Sequence, residues 1–200
     1  AVATGARVVV YDRDVVEALS TAAQATGRRV AVHLKVETGT HRQGVPGPQA
    51  GAFARWIGGQ PGLRLEAVCT HFADVEDGED HGFARQQLEI LDAARSAAQE
   101  AGAAALSWHS ASSAAALLLG ESHGDLVRVG IAAYGLWPSP QTEKLARLRG
   151  SSVTLRPSLA WRTRIAQVKG VRPGGSVGYG RTYHVGGSGT ARRIAVLPVG

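Results

Sequence analysis

The chain has 200 residues, of which 44% are hydrophobic and 19% charged, a composition typical of a folded globular protein and unlike that of a disordered one. The formal net charge is +6, but the basic residues are scattered along the chain, so the sequence does not indicate a nucleic-acid-binding protein. No apolar run is long enough to cross a membrane, and the single cysteine excludes an internal disulfide, so we expect a cytoplasmic protein.

Short β runs alternate with helical periodicity along most of the chain. Strands are predicted at 7–12, 29–37, 65–72, 106–112 and 125–135. Helices are predicted at 13–27, 47–62, 80–100 and 113–120. This alternation predicts parallel strands joined by right-handed crossovers. About five βα units fit the last part of a (β/α)8 TIM barrel, and a doubly wound open sheet is the competing α/β fold.

The pattern changes after residue 147. Residues 148–200 have no helical period and contain short β runs separated by turn residues such as "RPGG". We therefore predict two domains, a partial (β/α)8 barrel over 1–147 and the N-terminal part of an all-β domain over 148–200. The chain lacks methionine and stops directly after the strand-like "RRIAVLPVG", so we expect an internal piece of a longer protein.

A buried strand and the loop after it carry two basic residues, in "HLKVETGTHRQG". Side chains alternate along a strand, so Val30, Val32, Leu34 and Val36 share the face toward the helices. Lys35 then points to the barrel interior, and Arg42 lies in the loop above it. Buried charge is costly unless it is paired, so the stretch indicates a site, or else a lysine that pairs with Glu37.

The next strand ends in "CTHFADVEDGEDH". The alternation places His71 on the same face as Leu65, Ala67 and Cys69, at the carboxyl end of the strand, where parallel barrels carry their chemistry. A histidine there is either a rim residue or part of a site. The acidic loop 74–81 has the spacing of neither a calcium loop nor a zinc site, so no metal is expected.

Two later segments indicate an anion-binding site. "HSASSAA" places Ser113 at the start of a helix, where free backbone N–H groups favour an anion, although an ordinary N-cap is the alternative. "VRVGIAAYG" places Arg128 on the last predicted strand, followed by Gly130 and Ile131. The loops after the last strands are the usual phosphate site of such barrels. The pattern predicts a phosphate held by Ser113 and the backbone of Gly130 and Ile131.

Five motifs together resemble, in order and spacing, the middle of an alanine racemase. They are "HLKVETGTHRQGV", "THFA", "HSASSAA", "VRVGIAAYGLWPSP" and "GYGRTY" with the later "RIAVLPVG". That family depends on pyridoxal 5′-phosphate and pairs a (β/α)8 barrel with a C-terminal β domain. The resemblance implies an enzyme that interconverts L- and D-alanine and supplies D-alanine for peptidoglycan.

The resemblance implies a role for each candidate residue. Tyr179 matches the catalytic tyrosine, which in the family acts across a homodimer interface. Arg42 matches an arginine that helps to bind the substrate carboxylate and the phenolate of that tyrosine. Lys35 matches a lysine that is carbamylated in many members. A carbamate would turn the buried cation into an anion that accepts hydrogen bonds from Arg42.

The remaining matches concern the cofactor. His71 resembles the histidine that packs against the pyridine ring, and Arg128 the arginine that faces the ring nitrogen. Ser113, Gly130 and Ile131 match the phosphate site inferred above. The chain lacks the family's early motif with the lysine that anchors the cofactor, and Lys144 and Lys169 lie in unsuitable contexts. We therefore expect the chain to be inactive alone.

Two departures leave the substrate open. The family usually has Asp-Thr-Gly-Met where this chain has Glu37 to Thr40, and Ser112 replaces an asparagine. The alternatives are a related racemase for serine or a bulkier amino acid, a barrel-type decarboxylase, and a non-catalytic carrier of pyridoxal phosphate. The "GYG" motif favours a racemase over a decarboxylase, and residues 150–200 argue against a carrier, which typically lacks the β domain.

Overall fold

The computed structural model describes residues 1–103, 106–187 and 189–199. The strands are β1 (Val8–Val10), β2 (Val30–Glu37), β3 (Val45–Pro46), β4 (Leu63–Cys69), β5 (Ser107–His109), β6 (Gln167–Val171), β7 (Ser176–Val177), β8 (Tyr183–His184) and β9 (Arg192–Val196). The α-helices are α1 (Arg13–Thr26), α2 (Ala50–Gly58), α3 (Gly82–Glu100), α4 (Ser113–Leu118) and α5 (Pro140–Leu148). Within the described ranges, none of these helices combines the length and apolarity that a bilayer crossing requires.

A parallel sheet organises the first of two compact units, Ala1–Ser158. Its strands lie in the order β1–β2–β4–β5, and the short β3 pairs with the end of β2. The order of the described strands follows the chain without reversal, whereas a doubly wound sheet reverses at its switch point. This unit is therefore a mixed α/β structure with a parallel sheet, consistent with part of a barrel.

One face of β2 forms the centre of the core. Val30 is 4% exposed, and Val32, Leu34 and Val36 are fully buried, as the alternation predicts. Side chains from α1, α2 and α3 pack against this face in a single apolar cluster. The β-branched residues suit the pleated surface, and the burial removes their side chains from water. The opposite face of the strand is free to carry polar groups.

The first helix begins and ends as its sequence predicts. Asp12 precedes α1, and its carboxylate accepts a hydrogen bond from the backbone N–H of Val15 at 3.2 Å. Gly27 follows the helix with a φ of 62°, in the left-handed region that glycine adopts without strain. Its N–H donates to the carbonyl of Ala23.

A β-bulge in β4 corrects the predicted face of that strand. Val32 pairs with Leu65, but His33 pairs with Ala67, so Glu66 is an extra residue. Leu65 consequently packs against the helix-side core, and it does not share a face with Ala67 and Cys69 as the alternation predicted. The prediction was wrong for Leu65 because an inserted residue reverses the facing of everything before it.

One further element prediction was wrong, and one helix was not predicted. Residues 126–130 form no strand in the described structure, because only Asp125 and Arg128 donate backbone hydrogen bonds to the preceding segment, to Trp108 and Ala111. A short 3-10 helix, Ile131–Tyr134, follows. The helix that was not predicted is α5, which Ser139 caps by accepting from Thr142 N–H at 3.0 Å. Its proline lies in the first turn, where a missing N–H costs nothing.

The second compact unit begins at Leu159. In it β6 pairs antiparallel with β9, and β7 pairs antiparallel with β8. A 3-10 turn, Tyr179–Arg181, lies between β7 and β8. Ser188 and Gly200 fall in the predicted β domain and lie outside the described residues. The division at residue 147 and the all-β character of the second domain stay predictions.

Candidate functional site

Three neighbouring strands place polar side chains in one row at their carboxyl ends. Lys35 on β2 pairs with Cys69 on β4, and Cys69 pairs with His109 on β5. All three side chains are buried, and none belongs to the apolar cores of the unit. The alternation that buries Val36 against the helices therefore turns this row to the opposite face, as predicted for Lys35.

The row opens into a cavity of about 190 Å³. Its lining residues are Val9, Lys35, Arg42, Cys69, Thr70, His71, His109 and Arg128. Three of them are cationic residue types, and among the described lining residues none is acidic. Like charges in a partly desolvated space repel unless an anion joins them. The cavity is therefore chemically complementary to an anionic group.

The pKa of the Lys35 amine reflects this repulsion between like charges. Burial lowers its pKa, and the nearby cations Arg42 and Arg128 lower it further. The alternative in which Lys35 pairs with Glu37 is not found among the described residues. The Glu37 carboxylate accepts hydrogen bonds from the backbone N–H groups of Gly39 and Arg42 instead.

The same carboxylate shapes the loop that carries Arg42. Burial tends to raise the pKa of Glu37, but the backbone N–H groups that it accepts from give a net lowering. Gly44 closes the loop with a φ of 139°, and a Cβ there would overlap the backbone of Glu37. The close approach requires glycine at this position. These contacts hold the loop that carries Arg42 against the end of β2.

Arg128 is held by four acceptors. Its Nη2 donates to the carbonyls of Thr70 at 2.8 Å and Ser110 at 3.0 Å. Its Nη1 lies 2.6 Å from Nδ1 of His109, and Nη2 lies 3.3 Å from Nδ1 of His71. Arginine has only donors, so both histidine nitrogens accept. Arg128 reaches the site although its segment is not a strand.

His71 lies beside this guanidinium, and it lines both this cavity and a second one that adjoins it. Burial lowers its pKa, and the positive charges of Arg128, Arg42 and Lys35 lower it further. The imidazole is therefore neutral near pH 7. Because Arg128 occupies its Nδ1, the ring carries its proton on Nε2.

Ser113 and Gly130 are in direct contact, as the predicted phosphate site requires. The buried Oγ of Ser113 accepts hydrogen bonds from the N–H groups of Gly130 at 3.0 Å and Ala132 at 3.3 Å. A Cβ built on Gly130 would meet no atom within 4 Å, so the space beside this backbone is open. Ile131 begins the 3-10 helix next to it. The two amides thus donate to the hydroxyl, and the hydroxyl proton of Ser113 can donate to an anion beside them.

Ser112 does not act as the N-cap that was the alternative for this segment. Its side chain accepts no hydrogen bond from the first turn of α4. Its Oγ instead lies 3.4 Å from the carboxylate of Glu76.

A second cavity, of about 310 Å³, adjoins the first and shares Arg42 and His71 with it. Thr40 and Glu76 contribute polar groups to its wall, and Phe72 and Ala73 complete the lining. This larger space therefore presents a cation, a carboxylate and a hydroxyl to a small polar molecule.

Tyr179 lies in the second unit, and it is fully exposed. Both flanking glycines have positive φ values, 78° for Gly178 and 69° for Gly180, which non-glycine residues rarely adopt. Arg181 fixes the turn by donating from Nε to Oγ of Ser176 at 2.9 Å. The "GYG" motif thus presents the phenol at the tip of a tight turn.

Sequence reasoning missed His109, His33 and Gln87. His109 ends β5 in the same row as Lys35, and the alternation could have found it. Gln87 is fully buried on α3, donates to Thr38 and to the carbonyl of His71, and accepts from Ala73 N–H. Gln87 lies three residues after Ala84 and four before Leu91 on the buried stripe of α3, so helical periodicity could have found its burial, although its partners come from distant loops.

The fold and the cationic, donor-rich cavity together define a parallel α/β domain of the type that binds an anionic cofactor. The sequence model of the family described as "Alanine racemase, N-terminal domain" matches residues 1–138. The chain belongs to this family, whose members depend on pyridoxal phosphate.

Similar proteins agree with this assignment. The chain is 37% identical over 191 residues to an alanine racemase of Desulfovibrio desulfuricans, covering 96% of this chain and 48% of that protein. It is 42% identical over 176 residues to one of Desulfosudis oleivorans, covering 84% of this chain and 43% of that protein. The chain therefore spans about half the length of the curated relatives that it matches.

A solved structure aligns with the chain along its full length. The alanine racemase of the D-cycloserine-producing Streptomyces lavendulae superimposes with a TM-score of 0.81 at 30% identity. The alignment covers all of this chain and 50% of that one. A second structure, the alanine racemase of Bacillus anthracis with bound L-Ala-P, gives a TM-score of 0.76 at 27% identity over 97% of this chain.

Proposed function

We propose that the protein containing this chain is a pyridoxal-phosphate-dependent alanine racemase. The observation that carries the proposal is the cavity in which Lys35, Arg42, His71 and Arg128 meet without an acidic neighbour among the described lining residues. The first unit would be the last part of a (β/α)8 barrel, and the second would begin an all-β domain. The product D-alanine and a cytoplasmic location would follow from the role of the family in peptidoglycan synthesis.

The donor set fits the cofactor. Ser113, Gly130 and Ile131 would hold its phosphate, because the serine hydroxyl lies against the Gly130 backbone beside an open space, and the amide that now donates to the hydroxyl would donate to the phosphate instead. Arg128 would face the pyridine nitrogen, and His71 would pack against the ring. When bound, the cofactor supplies an electron sink for the α-carbon of the amino acid.

The covalent anchor is proposed to lie outside residues 1–200. Lys144 is exposed on α5 and lies 3.5 Å from Glu79, and Lys169 is exposed on β6. Neither has the surroundings of a cofactor lysine. A strand that carries such a lysine in the upstream reading frame would support this part of the proposal, and an upstream frame without one would contradict it.

Arg128 would act as a fixed charge and not as an acid. All its contacts are made as a donor, and an arginine keeps its proton at any physiological pH. A permanent cation at the ring nitrogen disfavours protonation of that nitrogen. We expect this to limit transamination, because a weaker electron sink shortens the lifetime of negative charge on the α-carbon.

Tyr179 would move the α-proton on one face of the substrate. Racemisation removes a proton from one face and returns one to the other, so two acid/base groups are required. A free tyrosine has a pKa near 10, so its phenol needs a neighbouring cation, which Arg42 would provide. The exposure of Tyr179 in its own unit supports a role across a homodimer interface. The second acid/base group is proposed to be the anchoring lysine.

Lys35 is proposed to be carbamylated. Its lowered pKa favours the neutral amine, whose nitrogen attacks CO2 to form the carbamate with release of one proton. The resulting anion would accept hydrogen bonds from Arg42 and remove the repulsion among three cations. A mass spectrum or density map of the folded protein that shows a bare amine would contradict the modification.

A second candidate is a racemase that prefers serine or another polar amino acid. Thr40 stands where the family usually has methionine, and it lines the larger cavity with Glu76. A hydroxyl and a carboxylate near Arg42 would suit a substrate with a polar side chain. Comparing kcat/KM for alanine and serine in the same preparation distinguishes the two.

The experiment is the replacement of Tyr179 by Phe in the protein loaded with pyridoxal phosphate. Loss of a positioned acid/base group costs about 100-fold or more in kcat for interconversion of L- and D-alanine. Tyr183→Phe, a nearby and half-exposed tyrosine, is the matched control and should retain activity. Undiminished turnover of Tyr179→Phe in both directions would refute its role. A wild-type protein that binds the cofactor but racemises no amino acid would instead support the carrier alternative.

A further inference from the structure

Two buried histidines connect Arg128 to a distant carboxylate. His109 accepts from Arg128 at Nδ1, and its Nε2 lies 2.9 Å from Nδ1 of His33. The Nε2 of His33 lies 3.5 Å from Oε2 of Glu66 and has no closer partner among the described residues. The histidines are 3% and 8% exposed, so their polar atoms require partners.

The direction of the hydrogen bonds is fixed at the arginine end. Arg128 can only donate, so Nδ1 of His109 is an acceptor and the proton of that ring lies on Nε2. That proton is donated to Nδ1 of His33, so the proton of His33 also lies on Nε2. It therefore points at Glu66. No other arrangement of two neutral rings satisfies both contacts.

The carboxylate end is fixed as well. Arg7 donates to both oxygens of Glu66, at 2.7 and 3.2 Å, and Arg64 lies 3.4 Å away. The hydrogen bond from Arg7, opposed by burial, lowers the pKa of Glu66 to about 2, so the group is an anion at neutral pH. Burial, with Arg128 as a further cause, lowers the pKa of His109 to about 4 and keeps its ring neutral.

We propose that Glu66 and His33 are positioning residues that orient Arg128 toward the cofactor by setting the tautomers of both histidines. The inference rests on the proposed function for what Arg128 faces, and on the contacts alone for the tautomers. If His33 carried its proton on Nδ1, His109 would have to accept at Nε2. Its own proton would then lie on Nδ1, directed at the N–H of Arg128, and the guanidinium would be displaced.

The bulge in β4 supplies the geometric reason for this arrangement. It inserts Glu66 opposite the step from Val32 to His33, so Glu66 and Ala67 oppose a single residue. The extra residue turns the carboxylate toward His33 and Arg7. A strand with uninterrupted alternation would place residue 66 on the face opposite Ala67.

The test compares Glu66→Gln with Arg7→Gln. In Glu66→Gln, Arg7 competes for the single amide oxygen and the amide NH2 is left facing His33, which favours the wrong tautomer. Arg7→Gln removes the same surface ion pair but leaves the acceptor for His33. A purely structural role of the ion pair would affect both variants equally, and surface pairs of this kind contribute little.

The first measurement is 15N NMR of the histidine rings in the cofactor-free protein. In the wild type and Arg7→Gln, we expect His33 and His109 to carry their protons on Nε2. In Glu66→Gln, the population with Nδ1 protonated should rise for both rings. His33→Phe is a second variant that keeps a ring in the cavity but removes the acceptor for Nε2–H of His109, so the population of His109 with Nδ1 protonated should rise there against the remaining contact with Arg128. A wild type with the proton on Nδ1, or unchanged tautomers in Glu66→Gln, would overturn the inference.

The second measurement is the racemisation of alanine by the loaded protein. Glu66→Gln should lower kcat by about tenfold, the lower range for groups that orient a functional residue, with KM changed less than about twofold. Arg7→Gln should stay within about twofold of the wild type. Equal losses in both variants would overturn the inference. If the wild type neither binds the cofactor nor racemises alanine, the proposed function fails, and the NMR result still decides the role of Glu66.

Discussion

His109 contributes a pH-dependent part of the stability of the fold. Burial, reinforced by Arg128, lowers its pKa from 6.5 to about 4, so the unfolded chain binds a proton over this range and the folded protein does not. The contribution is therefore complete above about pH 6.5 and is lost as the pH falls toward 4. His33 and His71 shift in the same direction and add to the effect.

We predict that His109→Phe reduces the loss of stability between pH 7 and pH 4.5. The measurement is the urea midpoint at a series of pH values. His41→Gln, which changes an exposed histidine, serves as the control and should keep the wild-type slope. A slope that stays the same in His109→Phe would contradict the assignment.

Among the single residues of the site, the sequence predicted the ones that strand alternation or motif spacing identifies. The alternation along β2 placed Lys35 on the cavity side, and the structure brings Lys35, Arg42, His71 and Arg128 to one cavity. Their roles stay predictions. The contact between His33 and His109 was missed, because it depends on the register of three strands and not on spacing within one.

Among the elements, α3 is joined to the site by one buried amide. Gln87 donates from Nε2 to the hydroxyl of Thr38 at 3.0 Å and to the carbonyl of His71 at 3.3 Å. Its Oε1 accepts from the N–H of Ala73 at 3.0 Å. The side chain thus fixes the backbone on both sides of Phe72 relative to the end of β2.

We predict that Gln87→Met destabilises the protein by about 2 kcal/mol, because it fills a similar volume but leaves buried donors and acceptors unpaired. The free energy of unfolding in urea measures the loss. Gln86→Met is the matched control on the exposed face of the same helix, and it should change the stability by less than about 0.5 kcal/mol. Equal effects of the two substitutions would show that the contacts of Gln87 carry no special weight.

Element boundaries were predictable where local chemistry decides them. Asp12 and Gly27 delimit α1 as expected. The helix α5 was missed because its sequence, "PQTEKLARL", is short and mostly polar, and its apolar contacts come from a cluster that α4 also joins. Residues 126–130 have the composition of a strand, but hydrogen-bonded neighbours make a strand, and composition does not supply them.

The first unit as a whole exposes apolar side chains along one segment next to the sheet. Leu126, Val127 and Val129 are each at least 40% exposed, and they flank the buried part of Arg128. An extended segment with unpaired backbone groups and exposed valines is a template for pairing with another chain. We therefore expect the 200-residue chain to associate with itself as its concentration rises.

We predict that replacing Val127 and Val129 together by Lys raises the concentration for half-association by about tenfold, since two apolar contacts are replaced by charges that repel. Sedimentation velocity over a range of concentrations measures the shift. Leu148→Lys, on the highly exposed end of α5, is the control and should leave association unchanged. Association that persists unaltered in the double variant would place the contact elsewhere.

The fold of the first unit was predictable because its strands and helices alternate at regular spacing, and the parallel strand order follows. The alignments show that the chain matches about half the length of its relatives.

The strand β4 has one more residue, Glu66, than its pairing with β2 requires. Removing Glu66 would restore continuous pairing with β2 and would leave the other residues of β4 on the faces that they already occupy, because the pairs before and after the bulge match in facing. Leu63, Leu65 and Val68 would stay packed beneath the helices. A one-codon deletion there would therefore remove the carboxylate beside His33 and Arg7 and spare the apolar core.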